Sequence, residues 1–139
     1  MPCTVRGVGE VKPPKTALAV EMVVERALKK DPTGVSLKEY FATCCPPKVF
    51  RKVMREHVNE AILVGMIRVA DALKRDSDHG PLAEHLAGMG RIKRMDTTIM
   101  MLDEKDAAML RGAVEDCVGE VDVVDKIQAK FRASLRLEN

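Results

Sequence analysis

Three amphipathic segments separated by turn signals make up the first half of the chain. From Thr16 the apolar residues Ala17, Val20, Val24, Ala27 and Leu28 recur at helical spacing, while Glu21, Glu25, Arg26 and Lys29 take the opposite face. Asp31-Pro32-Thr33-Gly34 closes this helix with turn residues. Ser36-Leu37-Lys38-Glu39 then reads as a capping box, in which serine and glutamate satisfy each other's backbone N–H groups. It heads a short second helix with Leu37, Tyr40, Phe41 and Cys44 facing inward. Pro46-Pro47 ends that helix and opens a third, because a proline in the first turn lacks only an N–H that would be unpaired anyway. Phe50, Val53, Met54, His57, Val58, Ala61 and Ile62 form the inner face of this third helix, and Gly65 reads as its stop.

The pattern then shortens. Met66 to Val69 reads as a strand, residues 71–80 as a polar loop and residues 81–87 as a short helix. Arg91 to Leu102 is strand-like around Thr97, Thr98 and Ile99. Asp103, with Asp106 three residues on, caps a last helical section. There Ala107, Leu110, Val114, Cys117, Val121, Val124, Gln128, Phe131 and Leu135 alternate in steps of three and four, a heptad seam. Gly119 interrupts it at a cost of about 1 kcal/mol relative to alanine, and Val118 and Ile127 are apolar where charges are usual. One long helix pairing with a second copy, or two helices folded back near Gly119, both fit. The regularity favours a homodimer through residues 103–137, with Leu110, Val114, Cys117, Val121, Val124, Phe131 and Leu135 at the interface.

At 139 residues, 46% apolar and 32% charged, the chain suits one folded domain with a helical extension. No apolar stretch approaches the ~20 residues of a membrane span. The first residues have no apolar run of signal-peptide length. Four cysteines, two of them adjacent at Cys44 and Cys45, have neither the density nor the spacing of a disulfide framework. These features lead to the expectation of a reduced intracellular protein, in cytoplasm and nucleoid or in a nucleus, with no membrane association. The net charge of +2 names no partner, but residues 11–78 hold 13 basic and 9 acidic side chains and residues 79–139 hold 9 and 11.

The basic excess is concentrated on the third helix. Lys48, Arg51, Lys52 and Arg55 are spaced i, i+3, i+4 and i+7 and so share one face, which Asn59 continues. A helix with an apolar inner face and a basic outer stripe can lie in a major groove and reach phosphates and guanine edges. The order helix, short helix, long helix, strand, loop, strand is that of a winged helix. Residues 16–69 resemble winged-helix domains and are weakly similar to the linker-histone globular domain. The likeness lies in Gly34-Val35-Ser36-Leu37, the basic third helix and Val64-Gly65-Met66-Ile67-Arg68-Val69. That resemblance implies duplex DNA binding, with Lys48, Arg51, Lys52 and Arg55 in the groove and Lys74 and Arg75 as wing contacts.

The reading is thus α+β, mostly α: a flexible arm at 1–13, a winged-helix domain of three helices and a small β-hairpin at 14–102, and a helical, coiled-coil-like extension at 103–139. Its function would be that of a small dimeric transcriptional regulator or nucleoid- or chromatin-associated factor on double-stranded DNA. The alternative is a winged-helix protein–protein adaptor or assembly subunit without nucleic-acid binding, in which the basic stripe meets an acidic partner.

Enzymatic chemistry finds no support. No P-loop, dinucleotide fingerprint or H-E-x-x-H motif occurs, so no catalytic residue or cofactor is assigned. Adjacent Cys44 and Cys45 near His57 are poor ligands for one tetrahedral zinc, and no metal is expected. His57 reads as a buried histidine and Cys117 as seam packing. Arg91-Ile92-Lys93-Arg94 reads as a charged edge strand. Nine methionines invite a binding-groove reading, because methionine suits adaptable surfaces, but ordinary packing covers most of them, and the pair Met100-Met101 beside a strand is the one local excess.

Overall fold

A computed structural model describes residues 3–55, 58–90, 92 and 94–116. Helix α1 (Ala17–Lys30) starts where Thr16 accepts the Ala19 N–H on its hydroxyl at 3.2 Å, and it buries Val20, Val24 and Ala27 as the periodicity predicts. After it, the Asp31 carboxylate accepts the N–H groups of Thr33 at 3.1 Å and Ser36 at 3.3 Å. The Thr33 hydroxyl also donates to it, and these bonds, the hydroxyl's first, hold the Asp31 carboxyl below its usual range. Helix α2 (Val35–Glu39) begins at Gly34, whose φ of 80° is left-handed, with no side-chain cap. The expected capping box is therefore absent. Ser36 lies inside the helix, its hydroxyl is buried without a hydrogen-bond partner, and Asp31 supplies the capping oxygen instead.

A π-helical turn (Tyr40–Cys44) continues α2, closed by the Cys45 N–H on the Tyr40 carbonyl at 2.8 Å. The extra residue in the turn rotates Tyr40, Phe41, Cys44 and Cys45 all inward, which is how two adjacent cysteines are both buried. Phe41 then meets Tyr40, Phe50 and His85 edge-on at centroid distances of 5.3, 6.1 and 5.8 Å.

The long third helix of the sequence reading is two helices. Helix α3 (Pro47–Met54) ends at Arg55, whose φ is 56°, and helix α4 (Glu60–Arg75) starts afresh at Asn59. The Asn59 carbonyl oxygen accepts the Ile62 N–H at 2.9 Å, an N-cap that restarts the chain on a new axis. Gly65 does not stop the helix, and Met66 to Val69 is not a strand. Both lie in the middle of α4, which is apolar nearly all round: Ile62, Leu63, Met66, Ile67, Val69, Ala70 and Leu73 are buried. A helix surrounded by others loses its one-sided pattern, so a short apolar run inside it reads equally well as a strand.

Helices α5 (His79–Gly90), α6 (Met95–Met100) and α7 (Glu104–Asp116) follow. The expected polar loop at 71–80 shrinks to residues 76–78, and the expected second wing strand at 91–102 is replaced by α6. The strands occur elsewhere. Cys3–Val5 (β1) and Gly9–Val11 (β2) pair antiparallel, Cys3 opposite Val11, within the segment expected to be a flexible arm. Cys3 and Val5 are buried, so the hairpin seals α2 and the π turn. Helix α4 is the axis of the fold, contacted by α1, α2, α5, α6 and α7. The structure is mostly helical with one small hairpin, as the coarse class predicts. Its helix order and hairpin position are not those of a winged helix. Among the described residues, no helix is long and apolar enough to cross a membrane.

Candidate functional site

Lys48, Arg51 and Lys52 are exposed on α3, with Phe50 and Met54 buried, and Arg55, also exposed, lies just past the helix at its C-cap, where the positive φ departs from the expected helical stripe. Asn59 does not join that stripe. It caps α4, and its amide donates to Glu21 on α1 at 2.8 Å. Lys74 and Arg75 lie in the last turn of α4, not on a wing. Arg75 pairs with Asp71 at 3.2 Å and donates to the Thr33 carbonyl at 3.2 Å, which fixes the turn after α1.

Of the expected dimer seam, Leu110 and Val114 are buried within this chain, where α7 packs on α4. The Asp103 carboxylate caps α7 by accepting the Asp106 N–H at 2.8 Å, as its position predicts. Asp106 in turn accepts from Arg68 at 2.8 Å, while the other guanidinium nitrogen of Arg68 reaches Met109 Sδ at 3.5 Å. Burial pushes the Asp106 carboxyl up, against the pull of Arg68. Cys117, Val121, Val124, Phe131 and Leu135 lie outside the described residues, as do His57, Arg91 and Lys93.

The buried chemical groups are disarmed. Desolvation raises the Cys3 and Cys45 thiols to about 12 and also raises the Tyr40 phenol. Cys44 contacts the Val11 carbonyl through its sulfur at 3.7 Å. His85 Nε2 donates to the Met66 carbonyl at 2.8 Å, and burial lowers its pKa to about 4, so the ring is neutral. Among the described residues, no group of three or more His, Cys, Asp or Glu could hold a metal ion.

What sequence reading passed over is apolar surface. On α6, Met95, Thr98 and Ile99 are buried, while Arg94, Thr97, Met100 and Met101 face outward. Met100 and Met101 are 72% and 66% exposed. The helix beneath them is held firmly, because the Thr98 hydroxyl donates to the Val58 carbonyl at 2.9 Å. A trough of about 550 Å³ runs between α1 and α4, with Val24, Leu28, Ala61 and Val64 as walls and Glu25, Lys29 and Glu60 as rim. Leu18, 63% exposed, and Met22 continue the outer stripe of α1 that carries Glu25 and Lys29. The methionine pair was visible in the sequence. Its exposure was not, because residues 91–102 read as a strand.

Comparison with known proteins agrees with this helical architecture. No curated protein matches the chain. The NMR structure of the C-terminal domain of the human RPAP3 protein superposes with a TM-score of 0.70 at 15% identity, covering 85% of this chain and 87% of that one. The shared fold replaces the winged helix and the likeness to the linker-histone globular domain. The description of the family whose model matches names a protein partner, which overturns double-stranded DNA as the ligand and transcription regulation as the role. The adaptor reading, the alternative at the sequence level, is the one these findings favour. With its family model matching residues 13–107, this chain belongs to the family described as the potential Monad-binding region of RPAP3.

Proposed function

We propose that this chain is a protein-docking adaptor that receives its partner on the outer face of α6. The observation that carries the reading is the pair Met100 and Met101, the two most exposed large apolar side chains among the described residues. Solvent-exposed methionines make a polarizable surface that adapts to a partner. Arg94 and Thr97 lie on the same face and would supply polar contacts at its edge. Buried Met95 and Ile99 and the Thr98–Val58 bond fix the backbone, so little ordering entropy is lost on docking. The family's description as a potential Monad-binding region makes a Monad homologue the partner to try first. The role requires no catalysis and no cofactor.

Calorimetric titration of the whole chain with a purified Monad homologue tests this. Replacing Met100 and Met101 together by serine should weaken binding by about thirtyfold, the scale of a central hot spot, with an unchanged far-ultraviolet spectrum. Unaltered affinity in that variant removes α6 as the docking face. Absence of binding by the parent chain removes Monad as the partner.

A further inference from the structure

Helix α3 carries cations and no acid. Its three exposed cationic side chains, Lys48, Arg51 and Lys52, fall within little more than one turn, and exposed Arg55 follows directly at the C-cap with a φ of 56°. Like charges three and four residues apart destabilise the helix that bears them. Lys48 also sits in the first turn, where the helix dipole disfavours a cation. Elsewhere four cations pair with acids: Lys38 with Asp76, Arg68 with Asp106, Arg75 with Asp71 and Arg111 with Glu104. Among the described residues, none of Lys48, Arg51, Lys52 and Arg55 has an ion pair or side-chain hydrogen bond. The helix is kept in place by its other side, where Phe50 packs edge-on against Phe41 and Met54 is buried. An apolar anchor thus lies behind a charged face that has no counter-charge among the described residues, a local conflict.

We infer that the outer face of α3 is a second docking surface, for an acidic segment of a partner protein whose carboxylates repeat every three to four residues. Such a segment, helical and laid along α3, would set its carboxylates opposite Lys48, Arg51, Lys52 and Arg55. Arginine supplies two-pronged hydrogen bonds to carboxylates and lysine a compact charge. Duplex DNA is the less suited polyanion here. The β-hairpin packs on α2 and the π turn, so among the described residues no wing accompanies the helix into a groove. The inference stands whether or not the α6 reading does. Two independent faces would let one small chain join two partners.

The test uses the full chain and a fluorescein-labelled, alanine-based peptide of roughly four helical turns with glutamate at i, i+3, i+4 and i+7. A scrambled peptide of equal charge and a random duplex of about two turns are run beside it at low and moderate salt. The patterned peptide should bind, more weakly as salt rises, and better than either control. Replacing all four cations by glutamine should weaken it by about tenfold or more, while the Met100→Ser, Met101→Ser double variant should bind it unchanged. If the quadruple variant fails to fold, Arg51→Gln with Arg55→Gln serves in its place, with a smaller loss. Equal affinity of the glutamine variants, no binding at low salt, or binding of the duplex at least as tight as the patterned peptide would each overturn the inference.

Discussion

Val24 on α1 occupies the space that a side chain on Gly65 of α4 would need: a methyl group there would lie 2.4 Å from Val24 Cγ1 and 3.2 Å from Cγ2. The glycine is a notch in a buried helix, and the two central helices approach closely because of it. Gly65→Ala should therefore destabilise the fold by about 1–2 kcal/mol, overpacking outweighing the better helix propensity of alanine. In a Val24→Ala background the same change should cost nothing or stabilise by a few tenths of a kcal/mol. Urea unfolding of the four proteins measures this coupling, and additive effects would mean that the close approach is not a constraint.

Asn59 holds the start of α4 in place. Asn59→Ala removes the cap on the Ile62 N–H and the bond to Glu21, and should cost about 1–2 kcal/mol. Asn59→Asp keeps the cap but sets a second carboxylate against Glu21, so its cost should fall between alanine and the parent. Denaturant midpoints at neutral pH give the order directly.

Protonation of His85 opposes folding. Its pKa is about 4 in the fold against 6.5 for the free side chain, so the unfolded chain binds the proton more readily. The stability linked to this group is present above pH 6.5 and is lost as pH falls through 4. The full loss is about 3 kcal/mol. His85→Gln retains an N–H for the Met66 carbonyl and does not titrate. Its stability should vary less between pH 7 and pH 4 than that of the parent, and parallel curves would show that another group dominates.

The thiols should behave as packing. With pKa values near 12, Cys3 and Cys45 hold only about one thiolate in ten thousand at pH 8. Iodoacetamide should leave both unmodified in the native protein and label both in urea, as read by peptide mass. Rapid native labelling of Cys45 would contradict its burial in the core.

Legibility followed the exposure of each element. Helix α1 has one wet and one dry side, and its buried Val20, Val24 and Ala27 were evident from spacing. So were the Asp103 cap of α7 and the inward set of α2 and the π turn. The buried middle of α4 reads as a strand because its apolar residues go all round, and Gly65 reads as a stop because a notch and a terminus require the same residue. The hairpin at residues 3–11 escaped notice because its strands are three residues long, too short for alternation to show. At the candidate sites, Lys48, Arg51 and Lys52 follow from spacing alone, while the positive φ of Arg55 and the exposure of Met100 and Met101 depend on how the chain turns and how α6 packs.

The sequence by itself determined what local spacing and local hydrogen bonds control: the amphipathic first helix, the proline-opened third, the cap at Asp103 and the basic stripe. Tertiary structure decided everything that depends on which faces meet. It placed Val24 against Gly65, buried Leu110 and Val114 on α4 where a dimer seam was expected, and left two methionines in solvent. The reason is physical. Apolar residues at helical spacing specify that a face must be covered but not by what, so neighbours within the chain and partners outside it write the same pattern.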